Sequence, residues 1–468
     1  MKLKTKATAL LALIAIIFSL ASCSVQKEAS NSSDGYGGSS DRGPLIGSSG
    51  SDYGASSPMS PDGDTMEPGG DYGDSAEDAT SPSDGKTDES EPDKDETTDN
   101  ITKPAGLITA GAWNDNSNYE YWKSLFDQSE TKPGKFFAYT KENTWGFNSY
   151  GRLKVKVSLS ESDDSAVAGA TVIAKDTDGN EIYSAVTDAN GIAYLFTAGT
   201  GGTVSVQSGE YTANAEYLGK GDEEISVKLD NASVKKNVID IMFVVDVTGS
   251  MGDELTFLKN ELADVINRVA SSDKQTTINL ALLFYRDSGD SVPFAYYDFV
   301  DVTDSSKLAA QLANLSAQHA DGGGDYPEAV DEALELAVGK QWNTGATTKL
   351  IFHVLDAPPH DSPKNKTTFK AAVETAAEKG IRICPIICSG TGILTEYLMR
   401  QAAIYTAGTF IFVTDDSGIG NPHYDPELPN VTVEALNSLL VRLIDGYHTG
   451  KFAPAVHWKE EQLNKNAQ

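Results

Sequence analysis

The sequence predicts an α/β protein: a doubly wound, mostly parallel sheet, preceded by a small all-β sandwich and a disordered tether. Three observations predict it. Nearly continuous apolar runs recur between 238 and 413, separated by amphipathic helical patterns, and two of those runs close on an aspartate. Residues 151–230 instead alternate apolar and polar with period two. Residues 24 to about 104 are dominated by Gly, Ser, Asp, Pro and Glu. The chain's 468 residues exceed one core; at roughly 100–200 residues per domain, two or three domains fit.

The first element is an export signal over residues 1–22. Lys2, Lys4 and Lys6 form a basic start, and Ala9 to Leu20 an apolar run too short to be a membrane span. Leu20-Ala21-Ser22-Cys23 resembles the lipobox of bacterial lipoproteins, in which the cysteine is lipidated. That resemblance implies a lipid anchor at Cys23 and a place at the bacterial cell membrane or outer membrane, facing outside the cytoplasm. Ordinary secretory cleavage near this point is the alternative. Residues 23–104 then read as an acidic tether, because they hold almost no large apolar groups to offset ordering entropy. As a flexible coil of about 80 residues it reaches roughly 50 Å. The formal net charge of −31 argues against nucleic acid and anionic headgroups as partners.

Residues 105–150 form an aromatic-rich connecting segment with Trp113, Tyr119, Tyr121, Trp122, Phe126, Phe136, Phe137 and Trp145. Tyr119 to Phe126 fits a helix. The cluster suits packing against the next domain, with a ligand platform as the other reading. In the sandwich, residues 151–232, Leu153–Val157 and Ala170–Ala174 read as strands, with Asp178-Gly179 and Asn190-Gly191 as turns. Asp176-Thr177-Asp178-Gly179 faintly suggests a calcium loop. Thr187 stands where that loop needs its bidentate glutamate, which favours a plain hairpin. The stretch from Ala168 to Gly191 resembles the carboxypeptidase regulatory-like sandwich, and so implies a spacer without chemistry.

The sheet domain spans 237–450. Its apolar runs are Val238–Val245, Ile278–Tyr285, Lys349–Leu355, Ile381–Cys388 and Thr409–Val413. Helical patterns at Asp253–Ala270, Ser306–Ala317, Pro327–Val338, Thr367–Lys379 and Leu394–Tyr405 alternate with them, and Val431–Leu443 closes the domain. Strand–helix alternation with apolar strands means a parallel sheet covered on both faces. Parallel strands finish along one edge, where such sheets bind ligands. Asp246 and Asp356 each end a buried strand, so both carboxylates fall at that edge and repel unless a cation lies between them. Thr248 and Ser250 add hydroxyls at alternate positions after Asp246, and the loop Gly322-Gly323-Gly324-Asp325 adds another acid. Such an all-oxygen set suits Mg²⁺ or Mn²⁺, with Ca²⁺ also possible.

Asp246-x-Thr248-x-Ser250, the 322–328 run Gly-Gly-Gly-Asp-Tyr-Pro-Glu and the 356–360 run Asp-Ala-Pro-Pro-His together resemble the metal-ion-dependent adhesion site of von Willebrand factor type A domains, most closely the hemicentin and alpha-kinase-associated branch. The resemblance implies a Rossmann-like sheet and a metal held by Asp246, Thr248, Ser250, Asp325 and Asp356. It also implies a protein partner that completes the coordination shell with an acidic side chain. Asp325 replaces the family's usual threonine. The extra acid tightens the metal and weakens attraction for an acidic partner. Asp253 and Glu254 have the spacing of an adjacent metal site in integrin β-type domains; complementing the helix dipole is their other reading.

The remaining candidates are quieter. Cys384 and Cys388 lie four apart on a strand, about 13 Å between Cα atoms, beyond the roughly 7 Å reach of a disulfide. Both read as buried thiols, and His353 as a core histidine. Arg286 either braces the acidic cluster or forms a surface ion pair. Residues 421–426 form either a specificity rim or a connection, and 451–468 a polar tail. A nucleophile elbow and a phosphate-binding Gly-Lys-Ser/Thr loop are both missing from the sequence. The sequence therefore points to a binding protein and not an enzyme. The alternatives are an envelope assembly component whose metal only holds loops, and a metal-dependent hydrolase using His360 beside Asp361.

Overall fold

A computed structural model describes residues 107–466, apart from 130, 143–144, 161–164, 234, 273–274, 325, 418–422, 424–425 and 427. The export signal, Cys23, the tether and Asp325 lie outside the described residues. Among the described residues no helix is long and apolar enough to cross a membrane.

The chain enters through β1 (Thr109–Trp113), α1 (Tyr119–Ser124) and α2 (Phe137–Glu142). The sandwich follows as β2 (Arg152–Leu159), β3 (Thr171–Asp176), β4 (Glu181–Val186), β5 (Ile192–Phe196), β6 (Gly202–Ser208), β7 (Tyr211–Tyr217) and β8 (Glu223–Leu229). One of its sheets runs β5-β2-β8 and the other β4-β3-β6-β7. Val155, Val172, Leu195 and Val206 are fully buried between them, which is what the period-two alternation dictates. The Asp176 turn is a hairpin: Asp176 Oδ1 accepts the N–H groups of Asp178 (2.9 Å) and Asn180 (2.8 Å). Thr187 is structural, accepting from the Ala170 N–H at 2.9 Å and donating to the Val167 carbonyl at 2.6 Å.

The second part runs β9 (Lys236–Asp246), α3 (Gly252–Ser272), β10 (Thr277–Tyr285), β11 (Phe294–Asp301), α4 (Ser305–Ser316), α5 (Val330–Val338), β12 (Ala346–Leu355), α6 (Pro363–Lys379), β13 (Arg382–Ile387), α7 (Ile393–Tyr405), β14 (Phe410–Val413), β15 (Glu434–Ala435), α8 (Leu436–Thr449) and α9 (Trp458–Asn466). The eight-stranded sheet has the order β11-β10-β9-β12-β13-β14-β1-β15. The five strands from β10 to β14 are mutually parallel. Alternate residues feed two cores: Ile239, Ile241, Phe243 and Val245 join α3 and α8, while Met242 and Val244 join α5, α6 and α7. The fold is the doubly wound α/β sheet that the apolar runs predict.

Several elements differ from the sequence reading, among them the closing helix, which runs Leu436–Thr449 and not Val431–Leu443 because Glu434–Ala435 pairs in the sheet. The segment 105–150 is more than a connector, because β1 pairs antiparallel with both β14 and β15 inside the large sheet. Strand β11 adds an antiparallel edge beside β10. The polar tail holds α9, whose Trp458 is buried and donates its N–H to the Val433 carbonyl at 3.0 Å. Helix α6 also starts earlier than its apolar pattern, because Ser362 caps it through the Asn365 N–H and Pro363 occupies its first turn.

The aromatic segment packs where its composition points. Trp122, Phe126 and Phe136 pack edge-on with one another and meet Tyr397 of α7. Arg400 of α7 is buried among them, bonded to Asp115 (2.9 Å) and Glu396 (3.0 Å). The sandwich docks on the same helix end, with Phe196 stacked on Tyr405 at 4.8 Å and the Tyr183 hydroxyl donating to the Tyr405 carbonyl at 2.7 Å.

Candidate metal centre

The sheet reverses its winding between β9 and β12. From β9 the chain moves outward to β10 in one direction, and β12 begins the run in the other. Crevices at such switch points, beyond the carboxyl ends of the strands, are where open α/β sheets take ligands. Asp246 is the last residue of β9, and Asp356 directly follows β12. The two carboxylates therefore flank the switch point, 0% and 5% exposed.

A chain of oxygens links them. The Thr248 N–H and hydroxyl donate to Asp246 Oδ1 at 2.9 and 2.7 Å. The Thr248 hydroxyl lies 3.1 Å from that of Ser250, which in turn hydrogen-bonds Asp356. Asp246 Oδ2 and Asp356 Oδ1 are both buried without a hydrogen-bond partner. Burial first, and Asp356 second, push Asp246 up to about 7 against the Thr248 hydrogen bonds and the nearby Tyr285 hydroxyl. Burial likewise pushes Asp356 up to about 6, against the Ser250 hydrogen bond. Unpartnered carboxylate oxygens held in low dielectric are a strained arrangement, and an added positive charge relieves it.

The glycine loop closes over this pair. The Gly249 N–H reaches the Gly322 carbonyl at 3.2 Å, and the Asp321 N–H the Val247 carbonyl at 3.1 Å. Gly322 and Gly323 both have left-handed backbones, with φ of +75° and +73°. A Cβ at Gly323 would lie 2.8 Å from Glu328 Oε1 and 3.4 Å from Thr248 Cβ. Glycine is therefore required there by backbone angle and by space together. Arg286 braces this loop and not the buried acids: it bonds the Asp321 carbonyl at 3.0 Å and the His319 carbonyl at 3.0 Å.

Sequence reasoning missed Glu328. It is 3% exposed, its Oε2 is buried and unpartnered, and burial followed by Asp246 and Asp287 raises it to about 9. The signal was present, since Glu328 ends the 322–328 run. Its backbone bonds the Pro358 carbonyl at 3.0 Å, which ties the glycine loop to the segment after Asp356.

The other candidates separate from the centre. Glu254 turns to Ser389 and His423, accepting from the Ser389 N–H at 2.8 Å and lying 3.0 Å from His423 Nε2. The side chain of Asp253 lies outside the described residues. His360 pairs with Asp287 at 2.8 Å, and His353 is a core residue 3.2 Å from the Tyr285 hydroxyl. Cys384 and Cys388 are buried free thiols. Among the described residues no three Asp, Glu, His or Cys side chains converge closely enough to hold a metal. The oxygen set at the switch point is two carboxylates and two hydroxyls, which fits a hard divalent cation that keeps water in its other positions.

Residues 240–406 match the family model described as von Willebrand factor A domain. The chain is 30% identical over 138 residues to an ariadne-like RING finger protein of Acanthamoeba polyphaga mimivirus, covering 30% of this chain and 13% of that protein. It is 26% identical over 149 residues to an alpha-protein kinase of Dictyostelium discoideum, covering 30% and 22%. The chain thus spans under a quarter of either relative. Among solved structures, BatB, a conserved hypothetical protein of Bacteroides thetaiotaomicron, is similar at 16% identity with a TM-score of 0.27, over 38% of this chain and 93% of that one.

Proposed function

We propose that this chain, whose residues 240–406 match the family model described as von Willebrand factor A domain, is a lipid-anchored surface protein that binds a protein partner through a divalent cation. Asp246, Thr248, Ser250 and Asp356 would hold the cation, with Asp325 from the glycine loop as a further acid. Mg²⁺ fits the hard oxygen set, with Mn²⁺ or Ca²⁺ as substitutes. When bound, the cation supplies an open position for a partner oxygen. The sequence around Cys23 supports the anchor, and the acidic segment that follows supports a spacer.

One observation carries the reading. Asp246 Oδ2 and Asp356 Oδ1 are buried, unpartnered, and joined through the Thr248 and Ser250 hydroxyls at the switch point of the sheet. We read that constellation as a binding site. His360 pairs with Asp287 at 2.8 Å and stands apart from those oxygens.

The test is a pull-down from cell-envelope extract, with and without chelator, using the wild-type chain and Asp246→Ala. Capture that needs Mg²⁺ and is lost in Asp246→Ala, with the circular dichroism spectrum unchanged, supports adhesion. Capture indifferent to chelator defeats it. Unfolding of Asp246→Ala, or of the wild type in chelator, favours the assembly role in which the metal only holds loops.

A further inference from the structure

The opposite end of the same sheet is cationic. A cavity of about 390 Å³ lies where the sandwich meets the strand starts of the large sheet. Lys235, Lys340, Lys349, Lys379 and Arg382 line it, against a single acid, Glu378. In a chain with 37 basic and 68 acidic residues, this reverses the local charge balance.

The basic groups are held in place. The Lys349 Nζ donates to the Lys379 carbonyl at 2.8 Å, and the Lys379 Nζ to the Val338 carbonyl at 2.8 Å. Each ammonium sits at a helix C-terminus with donors to spare. Lys340 rests on the Tyr296 ring at 4.0 Å. Arg382 is 5% exposed, and its Nε is buried without a hydrogen-bond partner. Arg400 and Arg152, also buried, have carboxylates of their own. Arg382 instead faces a tyrosine ring, with the Tyr447 centroid 5.7 Å away. A desolvated guanidinium nitrogen without a hydrogen-bond partner costs free energy that an anion would recover. Lys349 feels the same crowding: burial, and then the charges of Lys235, Arg382 and Lys379, lower it to about 8 against the pull of Asp240.

We propose that this cavity is a binding site for a small multivalent oxyanion, a phosphate, sulfate or polycarboxylate group. The site is independent of the cation centre, because it lies at the starts of β12 and β13 and the acids lie at the ends of β9 and β12. It also spans the two folded parts. Thr187 of the sandwich contributes to its wall, so an anion there fastens the sandwich to the sheet domain.

The test uses the metal-free full chain, with inorganic phosphate, sulfate and citrate titrated by calorimetry and thermal shift at an ionic strength matched with chloride. Saturable binding of at least one of the three is expected. Lys235→Ala/Lys340→Ala weakens it by about tenfold or more, because two charge-assisted contacts are lost. Glu378→Gln, which removes the one acid lining the cavity, tightens it, and that gain cannot come from misfolding. All titrations are run in chelator, so failure of the cation reading and failure of this one are separable. No binding above the chloride control, or equal affinity in the double lysine variant, overturns the proposal.

Discussion

Two of the buried clusters of charge among the described residues are built in opposite ways. Around Arg400 the charges are balanced within the chain, with Glu396 Oε2 held by an ion pair and no hydrogen bond. The guanidinium meets Asp115 and Glu396, Lys135 meets the second oxygen of Glu396 at 3.0 Å, and the Trp113 N–H satisfies Asp115 at 3.0 Å. Around Asp246 and Asp356 the cluster stays open. The two acids have hydroxyls beside them and Glu328 nearby, and three of their carboxylate oxygens have no partner. Both clusters are equally withdrawn from water. The difference teaches that burial of charge alone does not mark a functional site. The mark to look for is burial that the chain leaves uncompensated, since a closed cluster fixes a geometry and an open one takes up protons or a ligand.

That contrast can be broken by mutation. The largest effect is expected at the closed cluster. Arg400→Met leaves Asp115 and Glu396 buried and unpaired, and should cost about 3–5 kcal/mol in denaturant unfolding. A loss under about 1 kcal/mol would mean that the cluster does not close as described.

At the open cluster the sign should invert. Asp356→Asn removes one of two repelling charges, so the metal-free protein should keep or gain stability. What it loses is the response to cation. At a hundredfold excess over its dissociation constant, Mg²⁺ should stabilise the wild type by about 2.7 kcal/mol and leave Asp356→Asn unmoved in thermal melts. Equal stabilisation of both proteins would place the cation elsewhere.

The smallest effect concerns the loop between them. Gly323→Ala meets a left-handed backbone and the Glu328 carboxylate 2.8 Å from its new Cβ. It should destabilise by about 1–2 kcal/mol and weaken cation affinity more than Gly324→Ala, whose Cβ would meet nothing within 4 Å. Matching behaviour of the two variants would show that the loop does not shape the centre.

Much of this architecture was legible in the residues themselves. Val238–Val245 and Lys349–Leu355 are apolar on both faces, which only a doubly covered strand needs, and each ends on an acid. A turn after the first acid then set Thr248 and Ser250 on the same side. His353 and the two thiols read as core because they sit inside such runs, and they are buried there. Helix α9 and strand β11 were not legible. Lys459, Glu460 and Glu461 mask the apolar signal of α9, and β11 keeps aromatic and acidic residues half-exposed at a sheet edge.

By itself, then, the sequence determined which strands are buried, where they end, and that hydroxyls and carboxylates share one rim. Those properties are local, because periodicity and turn residues report the surroundings of a single element. Only the tertiary structure decided that Thr109–Trp113 joins the sheet of a domain beginning more than a hundred residues later. It alone brought Glu328 to the acids, paired Arg400 with Asp115, and gathered five cations at the far end. Such meetings depend on which chain segments cross, and charge at a distance leaves no period in the sequence to read.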